Sequence, residues 1–251
     1  MKNIITDNDK DLFISELRRI FSLNKMEIYL NSEKEQMFFL LAKMLTEFNA
    51  RTNLTAITDI NGVILRHFAD SLTAEPYIPH GARLADVGTG GGFPTLPLAI
   101  VRPDVSFTAI DSTAKKLAFS ELVSDSLGLS NVNIKVGRAE ELAKDAALRE
   151  SFDVCCARAV ASLDILCELC LPFVKIGGKF AALKGSGAED ELKDAENAIK
   201  KLGGSLRGVT PCDITEDGVA REARFIIEIA KTARTDLKYP RAYAQIKAKP
   251  L

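Results

Sequence analysis

The sequence predicts an α/β fold, in which a doubly wound, mostly parallel seven-stranded sheet follows a helical N-terminal extension. Residues 1–80 show the apolar periodicity of helices and no strand signals. From residue 83 onward, short apolar runs alternate with helical segments, which is the pattern of a parallel sheet. We therefore predict two parts, a helical extension over 1–80 and a sheet domain over 81–251 that ends in a basic tail.

Three helices are predicted in the extension. The first spans residues 9–22, with apolar residues at i, i+4, i+7 and i+8, namely Phe13, Leu17, Ile20 and Phe21. Ser32 and Glu35 have the spacing of a capping box, which predicts the start of a second helix. A third helix is predicted over 63–72. Helices of this kind can form a lid or a packing layer, so the extension alone indicates no function.

The sheet domain contains seven predicted strands, at residues 84–87, 105–110, 132–136, 152–157, 178–183, 205–212 and 224–230. Helices are predicted between the early strands, and they end at glycine or proline, namely at Gly128, Pro172 and Gly203. No helix is predicted between the last two strands, which indicates an antiparallel pair at the sheet edge.

The composition is that of a globular protein of 251 residues, of which 47% are hydrophobic and 27% charged. A net charge of −1 excludes a global attraction to nucleic acid, so any such binding must depend on a local patch. No apolar run reaches membrane-spanning length, and the N-terminus lacks the apolar core of a signal peptide. Five cysteines, an odd number, are typical of a reducing compartment. We expect a cytoplasmic monomer with no membrane partner.

Residues 83–94 place four glycines directly after a predicted strand. Such a turn exposes backbone amides at a helix start, where a nucleotide can approach closely. Gly88 and Gly90 fit the first two positions of the dinucleotide fingerprint G-x-G-x-x-G, and Asp111 lies where its ribose-binding acid is expected. Phe93 stands at the third position, where that fingerprint requires glycine or alanine, and this disfavours a dinucleotide such as NAD.

A second pattern, D-x-G-x-G-x-G, is matched at all four positions, by Asp86, Gly88, Gly90 and Gly92. This arrangement resembles motif I of the class I S-adenosylmethionine (SAM) methyltransferases. Because SAM has no pyrophosphate, a SAM site does not need glycine at position 93. A turn with only a structural role is the remaining interpretation, and four glycines make it unfavourable without a closely approaching ligand.

Ligands of a doubly wound sheet bind at the carboxyl ends of its strands. Asp111 ends the second strand, where its carboxylate can accept both ribose hydroxyls; a helix N-cap is the alternative role. Ala139 and Glu140 follow the third strand, where an adenine would lie, although Glu140 can equally serve as a first-turn helix acid. Arg158 and Lys184, at the ends of the fourth and fifth strands, are further candidates.

Nearly the whole chain is similar to the family of bacterial ribosomal RNA small-subunit methyltransferase G, also called GidB. The matching segments, in order, are residues 49, 53–55, 67, 70–72, 86–94, 137–140, 158–161, 184–185, 239–241 and 249–251. The resemblance implies a Rossmann-like class I methyltransferase that transfers methyl from SAM to N7 of a guanosine in 16S ribosomal RNA.

The resemblance also implies which residues bind the cofactor. They are Gly88, Phe93, Ala139, Glu140 and Arg158 in this sequence. Two positions, Thr95 and Ala244, depart from the glycine that the family is expected to have there. Thr95 lies one turn into a helix, whereas Ala244 can alter the C-terminal turn and an RNA contact.

The residues after the fourth strand agree with methylation of a ring nitrogen. The segment lacks the Asn/Asp-Pro-Pro-aromatic motif that is usual in enzymes that methylate exocyclic amines. Cys155 and Cys156 lie within the strand and lack the Pro-Cys context of a cytosine C5 nucleophile, so we interpret both as buried strand residues. Guanine N7 has a free lone pair and no proton, and its methylation requires only in-line placement against the methyl group.

The substrate contacts that we expect combine two strand ends with the tail. Residues 231–251 carry six basic residues against one acid, Asp236. Tyr239 can stack on a base and Arg241 can contact phosphate, alongside Arg158 and Lys184 at the sheet. A solvated face, or a staple that holds the tail onto the domain, is the alternative for the tail.

Other candidate groups are weaker. Cys167 and Cys170 form one C-x-x-C pair, which cannot complete a tetrahedral zinc site, and we expect no metal. His67 and Asp70 share a helix face, and packing or capping competes with a role near the RNA pocket.

Three other functions stay open at this point. They are a small-molecule oxidoreductase, a SAM-dependent methyltransferase of another RNA or a small molecule, and a non-catalytic RNA-binding module with a vestigial SAM site. Intact Asp86, Gly88 and Asp111 disfavour the last of these.

Overall fold

The structure is a computed structural model that describes residues 4–158, 160–219 and 223–251. Its strands are β1 Arg83–Val87, β2 Ser106–Asp111, β3 Val132–Val136, β4 Phe152–Arg158, β5 Val174–Lys184, β6 Gly204–Pro211 and β7 Phe225–Lys231. Its helices are α1 Lys10–Leu23, α2 Ser32–Thr52, α3 Ile60–Gly62, α4 Asp70–Leu72, α5 Thr95–Val101, α6 Ala114–Leu127, α7 Ala139–Leu142, α8 Leu163–Cys170, α9 Ala188–Lys201 and α10 Tyr243–Ala248. A π-helical stretch, Val63–Ala69, joins α3 to α4.

The sheet has the strand order β3-β2-β1-β4-β5-β7-β6. β1 lies between β2 and β4, and its Leu84 is in register with Phe107 on one side and Val154 on the other. The first five strands are parallel, whereas β7 runs antiparallel to both β5 and β6. The predicted fold class is therefore confirmed, including the antiparallel pair at the edge. Because the strand order reverses at β1, a crevice opens beside its carboxyl end.

The second helix begins at Ser32 as predicted, but its cap differs from the predicted capping box. Asn31 is the N-cap, and its side chain accepts a hydrogen bond from the Lys34 backbone N–H at 2.8 Å. Glu35 instead turns toward α1, where its carboxylate accepts two hydrogen bonds from Arg18, at 2.6 and 2.7 Å. The capping-box prediction was wrong because the cap lies one residue earlier, at Asn31, which places Glu35 outside the N3 position of the motif and leaves its carboxylate for a tertiary ion pair.

Two apolar clusters cover the two faces of the sheet. One combines α1, α2 and the 63–72 region with one face, through residues such as Phe13, Phe38 and Phe107. The other packs α8 and α9 on the opposite face, around Phe152, Phe173 and Phe180. The helical extension thus shares a core with the sheet, and the boundary near residue 80 stays a prediction. Within the described ranges, no helix combines the length and apolarity needed to cross a bilayer.

Polar contacts anchor the C-terminal segment to the second cluster. The Glu168 side chain on α8 is fully buried, and Arg241 donates to both of its carboxylate oxygens, from Nε at 2.9 Å and from Nη2 at 2.6 Å. The Arg241 backbone N–H donates to the same carboxylate at 2.8 Å. Arg149 adds hydrogen bonds to the carbonyls of Thr235 and Tyr239, each at 2.9 Å. Residues 235–241 are therefore an integral part of the fold.

We expect Arg241→Ala to destabilise the protein strongly. Removing the guanidinium leaves the carboxylate of Glu168 buried without its charged partner, and breaking a buried pair in this way costs about 3 kcal/mol or more. Urea unfolding followed by circular dichroism measures the loss. Lys247→Ala is the matched control, because it removes the same charge from an exposed site on α10, and surface changes stay within about 0.5 kcal/mol. Equal stability of the two variants would contradict the structural role of the pair.

Candidate cofactor and substrate cleft

The glycine turn after β1 forms the floor of a cleft at the carboxyl ends of the strands. The backbone N–H groups of Gly88 and Thr89 both donate to the Ile110 carbonyl of β2, at 2.8 and 3.1 Å. Gly88 has a φ of 75° and Gly92 a φ of 86°, which favour glycine. A Cβ at Gly88 would also lie 2.4 Å from Val160 Cγ2. Glycine is therefore strongly favoured at the start of the turn, where the motif has it.

The cleft has two lobes that meet at this turn. The small lobe has a volume of about 270 Å³ and lies beside the ends of β2 and β3, where Asp111, Ala139 and Glu140 line it. The large lobe, of about 810 Å³, lies between the sheet and the helical extension, and Phe93 and Arg158 are among its lining residues. Gly88, Lys116 and Val160 line both lobes. The structure thus brings the seven predicted cofactor residues, Gly88, Gly90, Phe93, Asp111, Ala139, Glu140 and Arg158, to one continuous cleft.

Asp111 braces the glycine turn from the end of β2. Its Oδ2 accepts a hydrogen bond from the Gly90 backbone N–H at 3.0 Å, and its Oδ1 accepts one from Thr113 N–H at 2.8 Å. Thr113 is the N-cap of α6, so the carboxylate also supports that helix start. A carboxylate has about four lone-pair sites. The side chain therefore keeps acceptor capacity for a ligand in the small lobe.

Asp86 supports the turn from beneath. Its side chain is fully buried, and Oδ2 accepts hydrogen bonds from the Thr95 hydroxyl at 2.7 Å and the Thr95 backbone N–H at 3.3 Å. Burial raises the pKa of Asp86, while these hydrogen bonds and the charge of Arg158 oppose that rise. Thr95, one of the two departures from the expected glycines, therefore contacts the acid of the glycine motif directly.

An aromatic and cationic stack forms one wall of the large lobe. The His67 ring stacks on Phe93 with 4.6 Å between ring centroids, and the Arg158 guanidinium lies 5.7 Å from the centroid of Phe93. Burial, with a smaller contribution from the Arg158 charge, lowers the pKa of His67 to about 3. The imidazole is therefore neutral at physiological pH and adds no positive charge to the lobe.

Asp70 joins the helical extension to the end of β4 and to the residue that precedes β7. Its Oδ2 accepts a hydrogen bond from Arg158 Nη1 at 2.7 Å, and its Oδ1 accepts one from Arg224 Nε at 3.1 Å. Arg158 also donates to the Arg66 carbonyl at 2.9 Å. The spacing in the sequence pairs Asp70 with His67 and indicates neither of these arginine contacts. Arg224 lies 154 residues from Asp70, so no local spacing indicates that pairing.

Lys184 lines the large lobe from the end of β5. Its Nζ donates to the Ala161 carbonyl at 2.7 Å and pairs with Glu191 of α9 at 2.5 Å. Glu191 in turn accepts a hydrogen bond from the Leu163 backbone N–H at 2.7 Å. The Lys184 ammonium is thus held at the end of β5, as predicted, by its contacts with the Ala161 carbonyl and with Glu191 of α9.

The structure does not bring the other two predicted substrate residues to this cleft. Tyr239 is buried in the second apolar cluster, and Arg241 is paired with Glu168. Neither side chain lines either lobe as far as the described residues define them. These contacts favour the alternative in which residues 239–241 hold the tail onto the domain. Tyr243, which the sequence does not single out, lines the small lobe.

The cysteines of β4 are core residues, as predicted. Cys155 and Cys156 are almost completely buried, and burial raises the pKa of both thiols well above the usual range. Cys167 and Cys170 are buried in α8. Among the residues that the structure describes, no three potential metal ligands come together.

The residues of the cleft fit SAM. The Cβ position of Gly90 meets nothing within 4 Å, so the backbone beside the large lobe is open to a ligand. Asp111 retains acceptor capacity beside the small lobe, and Arg158 places a cation in the large one. A nucleoside with a charged amino-acid tail requires groups of these kinds at two connected sites.

We expect Gly90→Ala to weaken SAM binding by about tenfold or more, which is a loss of about 1.4 kcal/mol. The reason is that the new methyl group would occupy space in the cleft that the cofactor is expected to fill. Isothermal titration calorimetry measures the affinity. Gly88→Val is a poorer test, because its side chain would clash with Val160.

Gly128→Ala is the matched control for the Gly90 variant. Both glycines have positive φ, of 59° and 66°, and neither Cβ position meets an atom within 4 Å. Both variants therefore carry a similar backbone penalty of about 1–2 kcal/mol. Gly128 ends α6 and does not line either lobe among the described residues. Equal SAM affinity of the two variants would show that the turn does not contact the cofactor.

The sequence matches one protein family over most of its length. Residues 34–217 match the family described as rRNA small subunit methyltransferase G. A ribosomal RNA small subunit methyltransferase G from Lactobacillus delbrueckii subsp. bulgaricus is 44% identical over 234 residues, which cover 92% of this chain and 97% of the relative. A protein of the same name from Clostridium beijerinckii is 40% identical over 232 residues, with 92% and 96% coverage.

Solved structures share the fold at low sequence identity. The [4+2]-cyclase SpnF aligns with a TM-score of 0.54 and 16% identity, covering 81% of this chain and 98% of its own. A 16S rRNA (adenine(1408)-N(1))-methyltransferase from Catenulisporales acidiphilia aligns with a TM-score of 0.50 and 15% identity, covering 66% and 92%. Because one neighbour is named a cyclase, this likeness shows the fold and does not decide the reaction.

The family of the chain follows from the sequence matches, and the segment matched by the family, residues 34–217, contains the glycine turn and most residues that line the two lobes. The chain belongs to the ribosomal RNA small subunit methyltransferase G family of SAM-dependent methyltransferases.

Proposed function

We propose that this protein transfers the methyl group of SAM to N7 of a guanosine in 16S ribosomal RNA. The observation that carries the proposal is the chemistry of the large lobe. Its described lining contains no cysteine, the lowered pKa of His67 makes that imidazole a weak base, and the carboxylates Asp70 and Glu191 are held in ion pairs. Such a lobe suits an acceptor that attacks with its own lone pair, and guanine N7 is an acceptor of this kind.

The proposed cofactor position uses both lobes. The Asp111 carboxylate accepts hydrogen bonds from the ribose hydroxyls. Ala139 and Glu140 border the adenine in the small lobe. Phe93 and Arg158 border the methionine end at the entrance to the large lobe. When bound, SAM supplies an electrophilic methyl group on a sulfonium. The residues of the chain bind the cofactor and orient it toward the acceptor, and none of them has to take up a proton.

The target guanosine occupies the remainder of the large lobe in this proposal. Arg158 and Lys184 are its expected contacts, and Asp70 holds Arg158 in place through the 2.7 Å hydrogen bond. The transfer moves one positive charge from sulfur to the purine ring, so the net charge of the cleft stays the same.

The RNA backbone is expected to contact cations around the mouth of the cleft. Arg66 and Lys116 line the large lobe and are exposed. On the tail, Arg234, Lys247 and Lys249 are exposed, whereas Lys231 and Arg241 are engaged within the fold. The proposal places a cytoplasmic monomer on 16S RNA or on the small ribosomal subunit, and phosphate contacts from these exposed groups would make binding salt-dependent.

The test is transfer of labelled methyl from SAM to 16S RNA and to small subunits from a strain that lacks this protein, followed by nucleoside analysis. We expect label in N7-methylguanosine alone. Label in another nucleoside, or transfer only to another RNA or to small molecules, would overturn the proposed specificity.

The cysteine variants Cys155→Ala and Cys156→Ala separate this mechanism from a covalent one. Both sulfurs are buried, and alanine removes them without burying a new polar group. We expect each folded variant to retain transfer activity within about threefold, because attack by N7 needs no enzyme nucleophile. Melting temperatures identify packing losses. Complete loss of activity in a folded variant would indicate a thiol intermediate.

A further inference from the structure

We propose that Tyr243, in the C-terminal segment, is a cofactor-contacting residue that forms a wall of the adenine site. The inference deepens the proposed function and rests on its placement of adenosine in the small lobe. It also gives the anchored C-terminal segment a role in the site.

Tyr243 lies at the small lobe although it is at least 74 residues along the chain from the other residues of that wall. It lines the small lobe together with Ala139, Glu140 and Leu169. Its ring is partly buried against the second apolar cluster. The Arg138 guanidinium, which also lines the small lobe, lies 5.9 Å from the ring centroid. A ring in this position presents an aromatic surface to the lobe.

The fold holds this ring in place from both sides. Two residues earlier, Arg241 is clamped to Glu168, and the neighbour of Glu168 on α8 is Leu169, which lines the same lobe. Three residues later, Ile246 is fully buried. A clamp on one side and a buried anchor on the other fix the first turn of α10. The ion pair of Arg241 therefore acts as a positioning element for Tyr243.

The chemistry of the wall fits a neutral purine. An aromatic ring offers a flat, polarisable surface on which a base can stack, and stacking of this kind contributes appreciably to affinity. Leu169 extends the apolar surface, while Glu140 and the backbone at Ala139 offer polar groups. The ring, more than the phenol hydroxyl, is expected to carry the contact.

The experiment measures the affinity of the full-length protein for SAM and for S-adenosylhomocysteine by calorimetry, with the variants Tyr243→Ala, Tyr243→Leu and Tyr243→Phe. We expect the alanine variant to bind both ligands about tenfold more weakly or worse, and the leucine variant to bind them severalfold more weakly. The affinities of the phenylalanine variant should stay within about twofold of those of the native protein. Leucine keeps apolar volume without a ring, so it remains informative where the alanine variant does not fold.

Two controls distinguish cofactor contact from general packing. Gln245→Ala changes an exposed residue of the same helix and should leave affinity unaltered. In steady-state assays, loss of the ring should raise KM for SAM and leave KM for RNA unchanged. Arg241→Ala should weaken SAM binding in the same direction, because it releases the segment that carries Tyr243.

The outcomes also separate this inference from the proposed function. Native protein that binds no SAM would overturn the cofactor placement on which both depend. Native protein that binds SAM, with a folded Tyr243→Ala or Tyr243→Leu variant that binds it as tightly, would overturn the role of Tyr243 alone. Loss of affinity in the phenylalanine variant would assign the contact to the hydroxyl and overturn the stacking role.

Discussion

The site depends on a steric constraint at the end of β1, where Gly88 faces Val160 with no room for a side chain. Its positive φ turns the chain back so that two successive amides bind the carbonyl of Ile110. This turn sets the floor of both lobes and directs the following glycines along the cleft. Asp86 beneath the turn and Asp111 beside it then hold the loop through hydrogen bonds. A rigid backbone surface can approach a cofactor closely without an entropic loss on binding.

The helical extension contributes a wall of the cleft as well as a packing layer. It shares an apolar core with one face of the sheet, and at the edge of that core it places His67 and Asp70 against the strand ends. Asp70 meets Arg158 and Arg224, which come from β4 and from the start of β7. One carboxylate thus joins three distant parts of the chain at the large lobe. Ion pairs that are held in this way orient a side chain toward a ligand with little flexibility.

The C-terminal segment lines the small lobe of the cleft, and it too is held in place by an ion pair with a buried carboxylate. Glu168 is buried, so its charge requires a partner, and Arg241 supplies four hydrogen bonds from its side chain and backbone. This requirement fixes where the last helix begins. The same contacts explain why the basic tail is only in part available to RNA, since an ion pair buried in the fold cannot also contact phosphate.

The fold class, the succession of strands along the chain and the position of the glycine motif are predictable from the sequence, because these features depend on local periodicity and turn chemistry. The sequence also predicts that Asp111, Ala139 and Arg158 lie near one another, since the carboxyl ends of parallel strands meet at one edge of the sheet, and all three line the cleft. Only the tertiary structure decided the partners of long polar side chains. Glu35 binds a different helix from the one that it was expected to cap, and Arg241 binds a buried acid 73 residues away. Such pairings are set by burial and geometry across the fold, which no spacing along the chain encodes.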